Sequence, residues 1–114
     1  MPKSFLDSNA KKTNIFLKKY LNLQSNYGLI SAMRYGSLSG GKKIRSSIIL
    51  GAGKLFNIKD SELLNLCGAV ECIHSYSLIH DDLPCMDNDK MRRGKSATHI
   101  KFGESTAILA GNSL

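Results

Sequence analysis

No apolar run in the 114 residues approaches the roughly 20 needed to cross a bilayer. The opening stretch, MPKSFLDSNAKK, has no apolar core long enough for a secretory signal. Cysteine is scarce, and Cys67, Cys72 and Cys85 form no CxxC spacing, which argues against a disulfide framework or a zinc site. Reduced, half-buried thiols in a cytosolic protein are the expectation. Clean strand alternation, internal repeats and low-complexity runs are absent too. Acidic residues are few: nine Asp and Glu stand against sixteen Lys and Arg, for a formal charge of +7. That excess favours an anionic partner without naming it, and a basic, soluble surface explains it equally well. The length suits one domain with one modest core.

What is present is helical periodicity almost throughout. Ile15, Phe16, Tyr20 and Leu23 fall at helical spacing in a first helix near Ser8 to Leu23, followed by a polar gap from Gln24 to Gly28. A short helix over Leu29 to Tyr35 should stop at Gly36. The turn SLSGGKKIR opens a third helix carrying Ile44, Ile48, Ala52 and Leu55, in which Gly51 and Gly53 permit close packing. Asp60 or Ser61 should cap a fourth helix that runs to Asp82. Pro84 then breaks the helix. Pro84 to Phe102 reads as loop with brief helical turns, and a last helix starts near Glu104. It reaches Leu114 without a cap or a glycine stop. The fold class expected is all-α, in a single domain cut short at its C-terminal end.

The chemistry concentrates in HDDLPCMDNDKMRRGK, which packs Asp81, Asp82, Asp87 and Asp89 into nine residues beside Lys90, Arg92, Arg93 and Lys95. Helical geometry puts His74 and Asp81, seven apart, on one face, with Cys67, Val70 and Ser77 or Leu78 along the same stripe. Carboxylates at a helix C-terminus face its partial negative charge and each other, so they call for a cation. Magnesium takes one or two carboxylates together with phosphate and water oxygens. Arginine grips the phosphate oxygens in bidentate fashion. A DDxxxxD run alone is more often a solvated acidic loop; the adjacent arginines shift the balance toward metal and phosphate. An EF-hand loop is excluded, because the fifth and sixth positions from Asp87 are Met91 and Arg92.

A second candidate anion site is Gly40-Gly41-Lys42-Lys43-Ile44-Arg45, where glycines let the backbone approach an anion at a helix start. Lys42 and Arg45, three apart, should share one side of the first turn. It is not a P-loop, and alone it is a weak signal. His80 and His99 lack such support, and no nucleophile is assigned.

Together these stretches resemble the trans-type polyprenyl diphosphate synthases, and within them the bacterial farnesyl diphosphate synthases. GGKKIR is similar to the family's GGKRxR, AVECIHSYSLIHDDLPCMDNDKMRRGK to its first aspartate-rich region, and THIKFGESTAILAGNSL to the segment after it. The resemblance covers roughly Ala32 to Leu114 and implies the N-terminal part of the isoprenoid synthase helical bundle. It implies that Lys42 and Arg45 bind isopentenyl diphosphate, aided by His74 and Arg93, and that Arg92 binds the allylic diphosphate. Asp81 and Asp87 would ligate Mg2+, with Asp82 contributing. Tyr76 and Ser77, five and four residues before the first aspartate, would help set product length, with the bulky Tyr76 as a floor suited to farnesyl diphosphate. A homodimer and a cytoplasmic location are implied, without membrane span or nucleic acid. The second aspartate-rich motif should lie beyond Leu114, so these residues alone should be inactive as a synthase. Asn112 and Lys90 depart from the usual pattern. Two rivals remain: a non-catalytic subunit of this fold, and a small nucleic-acid-binding protein. The second lacks interleaved aromatics on a basic face.

Overall fold

The computed structural model describes residues 2–22 and 28–114. Among these described residues six helices and one small hairpin follow in chain order: α1 Lys3–Tyr20, α2 Gly28–Leu38, α3 Ile44–Leu55, α4 Asp60–Asp81, β1 Met91–Arg92, β2 Lys95–Ser96, α5 Thr98–Phe102 and α6 Glu104–Ser113. The all-α reading stands, with four strand residues added. Leu23 and the polar gap through Tyr27 lie outside the described residues. Among the described residues no helix is long and apolar enough to cross a membrane.

Several boundaries differ from the expectation. Gly36 does not end α2. It sits inside the helix, where a Cβ would run into the Ile79 side chain of α4, so its role is close helix packing. Neither Asp60 nor Ser61 caps α4. Lys59 occupies that position, and its backbone N–H donates to the Glu62 carboxylate at 3.3 Å. Asp60 instead accepts from Lys12 of α1 at 2.7 Å. Pro84 does end the long helix, at Asp81.

The largest departure concerns which faces are buried. The expected stripes point outward: Ile15 and Tyr20 of α1, Ile44, Ile48 and Leu55 of α3, and Leu66 and Ile73 of α4 are all exposed. The faces that meet carry small or polar residues: Asn9, Thr13 and Leu17 from α1, Ser46, Ser47, Leu50 and Gly53 from α3, and Cys67, Gly68, Glu71, Ser75 and Ile79 from α4. Small side chains bring helix axes close, which is why this seam forms along them. Apolar packing is concentrated elsewhere. Ala32 and Met33 of α2 meet Ala110 of α6, and Ile79 and Leu83 meet Ala107. These contacts fix α4 between the two ends of the chain and so position its last two turns. The three cysteines are free as expected, but of the three Cys72 alone is half-buried, while Cys67 is buried and Cys85 exposed.

Candidate active site

The site begins with the turn between α2 and α3. Gly40 and Gly41 adopt φ of 111° and 98°, and Lys43 follows at φ 50°, so the chain reverses sharply before α3 starts at Ile44. Positive φ suits glycine and is strained for lysine. The Lys43 side chain compensates by turning inward, where its ammonium donates to the Ser37 carbonyl at 2.8 Å. Burial lowers its pKa, opposed by the nearby Glu71 carboxylate. Lys42 therefore precedes the helix and does not share its first turn with Arg45, a correction to the expected register.

The two residues converge all the same. Lys42 and Arg45 line one cavity of about 650 Å³, together with His74 and Ser75 of α4, Glu71 beneath them, and Arg93 from the hairpin. All four residues implied for the isopentenyl diphosphate site thus face one space. Burial, then the Arg45, Arg93 and Lys43 charges, lower the His74 pKa, while Glu71 partly offsets them.

Arg93 reaches this cavity through a tight hairpin in a stretch where the sequence pattern predicts loop. β1 and β2 pair antiparallel, Met91 opposite Ser96 and Arg92 opposite Lys95. The two linking residues, Arg93 and Gly94, have φ of 53° and 76°. Positive φ at both central positions is the hairpin geometry that matches strand twist. An X-Gly pair was the available signal. Arg93 then donates to the Gly40 carbonyl at 3.0 Å, and its guanidinium lies where a Cβ on Gly41 would approach to 2.6 Å. Glycine at 41 is what lets the arginine close over the turn.

Arg92 points the other way. Its guanidinium grips Asp82 in bidentate fashion, Nε to Oδ2 at 2.9 Å and Nη2 to Oδ1 at 2.8 Å. Asp82 is buried and Arg92 is one-third exposed. The hydrogen-bonded Asp82 raises the Arg92 pKa further. In this arrangement Asp82 has Arg92 as its counter-ion.

The acidic loop folds back on the end of α4, as a metal role for both Asp81 and Asp87 requires. The Asp87 N–H donates to the Asp81 carbonyl at 2.8 Å and the Asp89 N–H to the Asp82 carbonyl at 3.1 Å. Among the described residues no three His, Cys, Asp or Glu side chains converge as a metal set. The side chains gathered on this loop are carboxylates, hard oxygen donors of the kind magnesium takes one or two of beside phosphate and water.

Tyr76 and Ser77 lie one turn before Asp81 on α4. Tyr76 is exposed and meets His80 edge-on at 5.6 Å between ring centroids. Ser77 is half-buried, and its hydroxyl donates to the His74 carbonyl at 2.7 Å. The sequence reading missed Glu71, whose buried carboxylate forms part of the cavity floor.

Residues 27–114 match the polyprenyl synthetase family. The chain is 55% identical over 86 residues to the farnesyl diphosphate synthase of Buchnera aphidicola, covering 75% of this chain and 30% of that one. It is 45% identical over 112 residues to geranylgeranyl pyrophosphate synthase 4 of Arabidopsis thaliana, covering 98% and 30%. A crystal structure of an FPP/GFPP synthase from Zymomonas mobilis superposes with a TM-score of 0.93 at 38% identity, over 97% of this chain and 41% of that one. The chain spans about a third of the length of the relatives it matches. On the family match, the shared helical fold and the gathered cationic cavity, the chain belongs to the polyprenyl synthetase family.

Proposed function

We propose that these residues form the diphosphate-binding part of a prenyltransferase that adds isopentenyl diphosphate to dimethylallyl diphosphate, and then to the geranyl diphosphate so formed, to give farnesyl diphosphate. One observation carries this reading: Lys42, Arg45, His74 and Arg93, from three separate stretches of chain, surround one cavity of about 650 Å³. Three cationic side chains and an imidazole in that space suit a diphosphate. Lys42, Arg45, His74 and Arg93 bind the isopentenyl diphosphate and orient its double bond. Asp81 and Asp87, with Asp82 contributing, would hold Mg2+ against the allylic diphosphate. The ion supplies charge stabilisation for the departing pyrophosphate. Arg92 takes part of the same developing charge on the allylic side, which requires its guanidinium to share itself between Asp82 and the substrate. The C–O bond to the allylic diphosphate breaks, and the double bond of isopentenyl diphosphate attacks the resulting carbocation. The released pyrophosphate takes the proton that is lost.

The complete enzyme on this reading is a cytoplasmic homodimer. Geranylgeranyl or longer products, or a non-catalytic subunit, are the alternatives. Farnesyl is favoured because Tyr76 is bulky at the level a growing chain reaches as it runs from Asp81 along α4, whereas Ser77 is too small to block it. One experiment addresses both activity and product. Residues 1–114 joined to the remaining part of the Buchnera synthase should condense isopentenyl and geranyl diphosphates when Mg2+ is present. Residues 1–114 alone should not. Chromatography of the dephosphorylated alcohols should show farnesol, shifting to longer alcohols in Tyr76→Ala. Absence of condensation by the joined, folded enzyme contradicts the function. An unchanged farnesol peak from an active Tyr76→Ala variant places the floor elsewhere.

A further inference from the structure

Glu71 is only 1% exposed, a buried carboxylate whose charge reaches the Lys43 ammonium. Burying a charge costs several kcal/mol unless neighbouring groups compensate it. What Glu71 does hold is the first turn of α3. One carboxylate oxygen accepts the Ser46 backbone N–H at 3.2 Å and the Ser46 hydroxyl at 3.0 Å. Ser46 follows Arg45 directly, and its N–H is one of the first in α3, which have no carbonyl partner within the helix. Glu71 also lies three residues before His74 on α4, and both line the cavity. The carboxylate therefore joins the helix that carries His74 to the turn that carries Lys42 and Arg45.

We propose that Glu71 is a positioning residue of the diphosphate cavity: by accepting both donors of Ser46, it fixes the cationic turn of α3 against His74. This rests on the diphosphate reading above. The carboxylate works against binding by its charge and for binding by its hydrogen bonds. Removing these two properties separately distinguishes them. Glu71→Gln keeps an acceptor oxygen and loses the charge. Glu71→Met keeps the volume and loses both.

The test is calorimetric titration of inorganic pyrophosphate into the 114-residue chain and the two variants, with thermal melting of each followed by circular dichroism. Positioning through hydrogen bonds predicts that Glu71→Gln binds pyrophosphate at least as tightly as the parent. It predicts that Glu71→Met still folds, melting some degrees lower for its two unpaired Ser46 donors, and binds about tenfold more weakly. Equal or tighter binding by Glu71→Met overturns the proposal, because the charge alone would then matter. Equal weakening in both variants overturns it as well. Unfolding of Glu71→Met makes the carboxylate a stability element and also overturns it. A parent chain that binds no pyrophosphate contradicts the diphosphate cavity itself, a failure distinct from the others, and the proposal falls with it.

Discussion

The cationic cavity and the aspartate loop share Arg93's hairpin, yet they differ in what is already arranged. In the cavity, four side chains from three stretches face one space, and internal hydrogen bonds fix the turn that carries two of them. In the loop, the backbone is folded back but the carboxylates are divided. Asp82 is buried against Arg92, Asp81 is half-buried and Asp87 is exposed. Attraction between a cation cluster and protein acceptors can be satisfied within the chain: Lys43 finds a carbonyl and Arg93 finds another. The carboxylate cluster on the loop is arranged differently. It resolves its repulsion by pairing one member with arginine and leaving the others toward solvent, where a metal and its phosphate can complete them. On the proposed function, one region is preorganised by the chain and the other is completed by its ligands.

The largest effect that would break this contrast is on turnover. In the synthase completed with a relative's remaining segment, Asp81→Ala should lower turnover by about a thousandfold, since a bound metal supplies several kcal/mol of charge stabilisation. Helical circular dichroism should stay unchanged, because Asp81 lies at the end of α4 and its side chain makes no hydrogen bond across the seam. Near-normal turnover at saturating substrate would show that the loop has no part in catalysis.

Arg45→Ala comes next and tests the cavity. Loss of one charged contact costs on the order of 1.5–3 kcal/mol, or about ten- to a hundredfold. In the completed synthase the Michaelis constant for isopentenyl diphosphate should rise by that factor, with a much smaller change for the allylic substrate. Equal changes for both would mean that the cavity does not distinguish them.

The buried pair gives a smaller effect, on stability. Asp82→Ala leaves Arg92 without its bidentate partner. Breaking a fully buried pair costs about 3–5 kcal/mol. Arg92 is one-third exposed and can rehydrate, so about 2 kcal/mol is expected. Melting temperatures of the parent and variant chains, compared by circular dichroism, should differ by about 10 °C. No difference would mean that the pair is a surface contact of little worth.

Much of this was legible before any coordinates. Helix existence followed from periodicity, and the long helix ending before Pro84 followed from proline chemistry. The cationic and acidic stretches could be named because residue type dictates which ligands a side chain takes. The buried faces were not legible. Ile44 and Ile48 mark a stripe as clearly as any residues do, yet the seam formed along Ser46, Ser47 and Leu50. Periodicity shows that a helix has an apolar face but not which neighbour meets which face. The hairpin at Arg93-Gly94 was hidden because strands of two residues are too short to alternate. Glu71 was hidden because a glutamate on a helix is ordinarily a solvated side chain.

The smallest predicted effect concerns pH and sharpens the comparison most directly, because His74 stands in the cavity wall. His74 has its folded-state pKa lowered below 6.5, by burial first and then by the surrounding cations. In the unfolded chain the imidazole is free of both. As pH falls through 6.5, the unfolded chain therefore takes up a proton that the folded chain resists. The stability associated with a neutral His74 is fully present above 6.5 and is lost as the pH drops through and below it. The loss should appear as a small fall in melting temperature on acidification. Melting at pH 7.5 and pH 5.5 should show a larger drop for the parent than for His74→Gln. Equal drops would mean that other groups carry the dependence. A diphosphate in the cavity should reverse the sign of this linkage, since its negative charge favours the imidazolium. With saturating inorganic pyrophosphate the His74 contribution should then shrink or invert, an outcome expected only if the anion sits against the ring. The aspartate loop, with no histidine facing a bound anion, gives no such reversal.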